Sequence, residues 1–175
     1  MTTASRCLLL LTLPLLLLAP PSNAQSDADT SESDAWTDAM PVSEMTTAFD
    51  TAADEEKFVF IYVYAPWCPY CQRIEQEVYT DGDVQALMNE HFVMVRVNAD
   101  DPEETHQFEG KEVAAPDLAN RLGARGFPSL IFMDETGEHI GTLPGAVERD
   151  DFMLLMRYVG TGAFRDQSLE AFTDE

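Results

Sequence analysis

The sequence predicts an α/β chain built on a central mixed sheet of about four strands, with helices on both faces. Three observations predict it. Residues 58–64 form a continuous aromatic and β-branched run, too short for a typical helix, which reads as a buried strand. Residues 92–97 read the same way. Residues 129–133, the turn Asp134-Glu135-Thr136-Gly137 and residues 138–142 read as an antiparallel hairpin, and segments of helical period separate these strands.

In chain order, residues 1–24 read as a secretory signal peptide. Arg6 supplies the basic start, residues 8–19 an apolar stretch interrupted by Pro14, and Ser22-Asn23-Ala24 a small-residue cleavage site before Gln25. That stretch is too short to span a bilayer, and no later run approaches the ~20 residues required. Residues 25–41 are rich in Ser, Asp, Ala and Thr, with Trp36 as the large apolar residue, and read as a disordered acidic linker. Residues 42–175 form one domain. Met45, Ala48, Phe49 and Ala52 recur at helical spacing, with Ser43 as candidate cap. A second helix starts at Cys68 or Pro69, where proline suits the first turn, and places Ile74 and Val78 on its inner face. Asp81-Gly82-Asp83 breaks it, and Val84, Leu87 and Met88 begin a further helix. Residues 98–115 are polar and acidic with little periodicity, and read as an inserted, solvated loop. A short helix over 116–122 ends at Gly123; Phe152, Leu155, Met156 and Val159 mark a closing helix, and a last turn is expected around 169–172. No internal repeat is visible.

The 175 residues carry 32 acidic and 10 basic side chains, a net charge of −22, or −23 once Arg6 is removed. Phosphate would be repelled, so nucleic-acid binding is excluded as a function class. Only Lys57 and Lys111 stand beside eight arginines. Surplus carboxylate with scarce lysine fits a protein kept soluble in concentrated salt; an ordinary acidic exported protein is the equal alternative.

The chemistry lies in Trp67-Cys68-Pro69-Tyr70-Cys71, where the first strand gives way to a helix. Cys68 falls at the helix N-terminus, where unpaired N–H groups and the macrodipole favour an anion, here its thiolate. Cys71, one turn further in and shielded, can attack a mixed disulfide formed at Cys68. Cys68 is therefore the nucleophile and Cys71 the resolving thiol. Half a zinc site is the competing reading, but no second Cys or His pair completes it, and His91, His106 and His139 stand alone as surface histidines. No metal or other cofactor is expected. An inert structural disulfide is a further alternative, though so small a loop stabilises little by chain entropy. Cys7 leaves with the leader, so no third thiol remains to compete.

The chain resembles the thioredoxin superfamily over roughly residues 42–160. The strand with its Trp67-to-Cys71 motif carries the resemblance, as do Gly123-Ala124-Arg125-Gly126-Phe127-Pro128-Ser129 and Gly137 with Gly145 before the terminal helix. Residues 71–79, with Asp81 and Val84-Gln85, are similar to exported members of the SoxW type and to the C-terminal domain of the DsbD electron transporter. The resemblance implies the thioredoxin fold and a periplasmic thiol–disulfide oxidoreductase. It implies that Pro128 is cis beside the dithiol and that the backbone at Phe127 pairs with the substrate chain. Trp67, Pro69 and Tyr70 then join Phe127 and Pro128 on the substrate-binding face. Two departures stand out. Where thioredoxin has a buried aspartate, six positions before the first cysteine, this chain has Tyr62, and Phe127 is bulkier than the Thr or Val frequent there. Glu75, one turn beyond Cys71, matches a glutamate of the DsbD-type domain; it is read either as acceptor of the Cys71 proton or as an exposed helix residue.

The expected function is reduction of disulfides in exported proteins by a monomer that draws electrons from a membrane thiol donor of the DsbD or CcdA type. A periplasmic oxidase or isomerase is the alternative, and a non-catalytic peptide-binding or chaperone module a third.

Overall fold

The computed structural model describes residues 36–173. The leader, Cys7 and most of the expected linker lie outside the described residues. Helix α1 (Met45–Glu55) precedes strand β1 (Phe58–Tyr64), and α2 (Pro69–Glu77) and α3 (Gly82–His91) lead to β2 (Phe92–Asn98). A hairpin of β3 (Thr105–Phe108) and β4 (Lys111–Ala114) is followed by α4 (Ala115–Arg121) and a second hairpin of β5 (Ser129–Met133) and β6 (His139–Pro144). Helix α5 (Arg149–Gly160), a 3₁₀ turn at Ala163–Arg165 and α6 (Leu169–Thr173) close the chain.

The main sheet has the order β2-β1-β5-β6. β1 runs parallel to β2 and antiparallel to β5, and β6 runs antiparallel to β5. This is the expected four-stranded mixed sheet. Its period-two side chains divide into two cores. Val59, Ile61 and Val63 of β1, with Val93, Val95 and Val97 of β2, pack under α1 and α4. Phe58, Phe60 and Tyr62, with Phe92, Met94, Leu130 and Phe132, pack under α2, α3 and α5 through Ile74, Val84, Met88, Phe152 and Met156. β1 is buried on both faces, which is why its sequence is continuously apolar.

Three expectations are corrected. Residues 36–41 of the segment read as a linker pack onto the domain. Trp36 is 1% exposed and Met40 is buried with it, because the indole fills space beside Tyr62 and Tyr79 and lies under the guanidinium of Arg96. Second, the stretch expected as a loop over 98–115 contains the β3–β4 hairpin. Its strands pair with each other on a small separate sheet, with Val113 buried in the core and Phe108 packed against it. Third, Glu44 rather than Ser43 is the N-cap of α1, and no side chain caps it; the Ser43 N–H instead donates to the Met94 carbonyl at the edge of β2. At the start of α3 the sequence reading needs refinement only. Asp81 is its N-cap, accepting from the Asp83 and Val84 N–H groups, and Arg149 from α5 clasps the same carboxylate at 2.8 Å.

Candidate active site: a dithiol above a buried polar cluster

β1 ends at Tyr64, and a short turn delivers Cys68 as the N-cap of α2, with Pro69 in the first turn. The cap is unusual in its atom: the Cys68 sulfur accepts the Cys71 N–H at 3.3 Å, while the Cys68 carbonyl accepts from Cys71 and Gln72. Both cysteines are free thiols in this structure.

Exposure separates them only narrowly. Cys68 is 3% exposed and Cys71 1%, so incoming sulfur has a small window onto Cys68 and none of consequence onto Cys71. Burial pushes the Cys71 thiol up to about 12, reinforced by the neighbouring Cys68 side chain; the Ala65 N–H and the Tyr62 hydroxyl oppose the rise. The two thiols thus have different jobs built into their surroundings: one is capped by an N–H at the rim, the other held protonated below.

Around the rim, Trp67 and Tyr70 are exposed, and Pro69 lies at the surface between the cysteines. The Trp67 ring meets Phe127 edge-on at 5.9 Å, and Arg73 lies over the Tyr70 ring at 5.7 Å. The Phe127–Pro128 peptide is cis. Ser129, the next residue, pairs with Val63 near the end of β1, which brings Pro128 and Phe127 to the end of the sheet that carries the dithiol. The residues expected on the substrate face are therefore gathered there, with Phe127 half-buried.

Below the rim lies a cluster the sequence did not announce. Glu75 is 4% exposed, so of its two readings the exposed one falls. The Tyr62 hydroxyl donates to Glu75 Oε1 at 2.9 Å; its 3.4 Å approach to the Cys71 carbonyl is the longer contact, and a single phenol proton serves the nearer acceptor. Arg96, opposite Tyr62 in the β1–β2 register, brings Nη2 to 3.9 Å from the same carboxylate oxygen. A buried carboxylate needs such a countercharge. The guanidinium is in turn sandwiched by rings, at 4.4 Å from Tyr64 and 5.0 Å from Trp36. Burial, and then the nearby Tyr79, Glu75 and Cys71, hold the Tyr62 phenol far above its ordinary range. Tyr79 is raised too, again chiefly by burial. Arg96 and Trp36 are the members that sequence reasoning missed. The available signal was a lone cation inside the otherwise apolar run Phe92–Val97.

Among the described residues, no three or more His, Cys, Asp or Glu side chains converge as a metal site requires. His106 is not the solitary surface histidine expected, since its Nε2 lies 2.8 Å from Glu104.

A family model described as a thioredoxin-like domain matches residues 45–160. Among curated proteins, the chain is 30% identical over 85 residues to the protein disulfide isomerase-like 5-2 of Oryza sativa subsp. japonica, a match covering 49% of this chain and 17% of the relative. It is 24% identical over 127 residues to the protein disulfide-isomerase of Ricinus communis, covering 72% of this chain and 23% of the relative. The matches span about a fifth of those relatives' length. Among solved structures, a thioredoxin from Thermus thermophilus aligns with a TM-score of 0.57 at 27% identity, over 69% of this chain and 87% of that one. A thioredoxin-fold protein from Helicobacter pylori aligns with a TM-score of 0.62 at 21% identity, over 66% of this chain and 81% of that one, a likeness of fold.

Proposed function

The chain belongs to the thioredoxin-like domain family, and from that premise we propose that it is a thiol–disulfide oxidoreductase that reduces disulfides in exported proteins. One observation carries the reading: Cys68 caps α2 with its sulfur while Cys71, one turn inside, is held protonated at about 12. Cys68 attacks a client disulfide and expels one client thiolate, forming a mixed disulfide. Cys71 then gives up its proton and attacks the Cys68 sulfur. The second client thiolate leaves, and the two electrons gained by the client are those lost in forming the Cys68–Cys71 disulfide. Glu75 is the acceptor for the Cys71 proton.

The environment of Cys71 favours this direction. A thiol of high pKa is a strong nucleophile once ionised and a poor leaving group, so closure of the disulfide is easier than its reopening. Trp67, Pro69, Tyr70, Phe127 and Pro128 form the client face. The leader pattern over residues 1–24 supports action in the periplasm, where a membrane thiol donor of the DsbD or CcdA type would restore the dithiol. The names of the curated relatives favour a second reading, oxidation or isomerisation at the same dithiol; equilibration with glutathione separates the two, since a reductase has the lower potential.

The test is trapping. Cys71→Ser should strand clients on Cys68 as adducts that a reductant releases, and Cys68→Ser/Cys71→Ser should strand none. Equal recovery from both variants would remove the proposal.

A further inference from the structure

The resolving step needs a route for the proton of Cys71, a residue only 1% exposed. What Cys71 does have beside it is the Tyr62 phenol, whose hydroxyl lies 3.4 Å from the Cys71 carbonyl oxygen, is a side-chain hydrogen-bond partner of the thiol, and donates to Glu75 at 2.9 Å. Resting on the oxidoreductase reading above, we propose that Tyr62 is a proton relay: its oxygen takes the proton of the Cys71 thiol while its own proton passes to Glu75 Oε1.

The geometry fits each part. Tyr62 lies on the central strand with its ring locked between Tyr64, stacked at 5.4 Å, and Tyr79, edge-on at 5.3 Å, so its hydroxyl has one place to be. That hydroxyl donates to the carboxylate at 2.9 Å, which leaves its lone pairs as the acceptor sites for a thiol proton. Glu75 hangs from the same helix as Cys71, one turn on, and its negative charge is supported by Arg96 across the sheet. The titratable and charged groups facing the phenol are Cys71 and Glu75 from α2, Tyr79 beyond its end, Arg96 from β2 and Tyr64 on its own strand. Of these, only Glu75 is an acceptor with a negative charge to neutralise.

The step balances. Before it, Cys71 is a thiol, Tyr62 a phenol and Glu75 a carboxylate; after it, Cys71 is a thiolate, Tyr62 again a phenol and Glu75 a carboxylic acid. An electron pair of the Cys71 thiolate then forms the Cys68–Cys71 bond as the Cys68–client bond breaks, and the client sulfur departs as a thiolate with the electron pair of that bond. The phenol never carries net charge, which suits a ring whose ionised form burial strongly disfavours. A carboxylate placed directly under the thiol would do the same task without a relay. Here the carboxylate lies one turn further along the helix and is hydrogen-bonded to the phenol.

An aromatic disulfide reagent that liberates a coloured thiolate resolves the two steps in the purified protein. Attack by Cys68 releases the first equivalent and closure by Cys71 the second. Tyr62→Phe keeps the ring and removes the hydroxyl. The relay predicts an unchanged first phase and a second phase slower on the order of 10²-fold near neutrality, the low end for loss of a positioned proton acceptor. Glu75→Gln should show the same loss, and the double variant no further loss. A second phase in Tyr62→Phe equal to wild type across pH overturns the relay, as does a double variant in which the two losses multiply. Absence of a first phase in the wild type overturns the oxidoreductase reading and the relay with it. Should Tyr62→Phe not fold, the wild-type profile decides. The relay requires the second phase to level off once the carboxylate is ionised. A rate climbing tenfold per pH unit up to the Cys71 value of about 12 means the thiol ionises unaided.

Discussion

The hydroxyl of Tyr62 stands 2.9 Å from Oε1 of Glu75, and this contact ties the central strand to the helix that carries both reactive sulfurs. It explains how a carboxylate survives at 4% exposure: a phenol proton and the Arg96 guanidinium, 3.9 Å away, replace the water it has lost. Glu75→Gln removes the charge but keeps the shape. Closure of the disulfide by Cys71 should slow on the order of 10²-fold, while alkylation of Cys68 keeps its rate. Both are measurable by rapid mixing, and equal slowing of the two steps would place Glu75 outside the proton path.

Cys71 also links redox state to stability. Its thiol has an ordinary value of 9.0 and is raised to about 12 by burial first. A raised value means that folding favours the protonated form, so the contribution is fully present below about pH 9. It is lost as pH rises from there towards 12, as unfolded chains ionise and folded ones do not. The reduced protein should therefore weaken over that window, and Cys71→Ala should show a smaller slope. The raised Tyr62 and Tyr79 phenols act in the same direction in both proteins, so the difference between the two urea titrations isolates the thiol.

Trp36 belongs to the folded domain. With 1% exposure and contacts to Tyr62, Tyr79 and Arg96, its replacement by Ala should cost about 3–5 kcal/mol in urea unfolding. A loss below 1 kcal/mol would return the segment to the status of a linker.

The net charge of −22 gives a salt prediction. If the acidity is an adaptation to concentrated salt, the unfolding midpoint should climb from low to molar NaCl as self-repulsion is screened. A flat profile leaves an ordinary acidic protein.

The parts legible in the sequence are those written in a strong period or a special residue. Residues 58–64 announced β1 because burial on both faces demands unbroken apolar character, and the Cys68-to-Cys71 spacing announced the dithiol because Pro69 marks a helix start. The β3–β4 hairpin was hidden because its strands are only four residues long and their inward positions hold His106, Phe108 and Val113, too short and mixed a set to show an apolar alternation. Trp36 was hidden by its neighbours: a Ser- and Asp-rich context reads as disorder, and one indole can still dock if a cation and two aromatic rings are waiting. The Tyr62–Glu75–Arg96 cluster joins residues 62, 75 and 96, and pairing across a sheet and onto a helix leaves no local pattern.

The central claim is that a sulfur capping α2 exchanges bonds with client disulfides. The direct measurement is the rate at which the purified protein accelerates reduction of insulin by dithiothreitol, set against its Cys68→Ser variant. The account predicts marked acceleration by the wild type and none above background by the variant. A wild-type rate no faster than the variant's would contradict it, and would mean that the 3% of Cys68 left open is too little for chemistry.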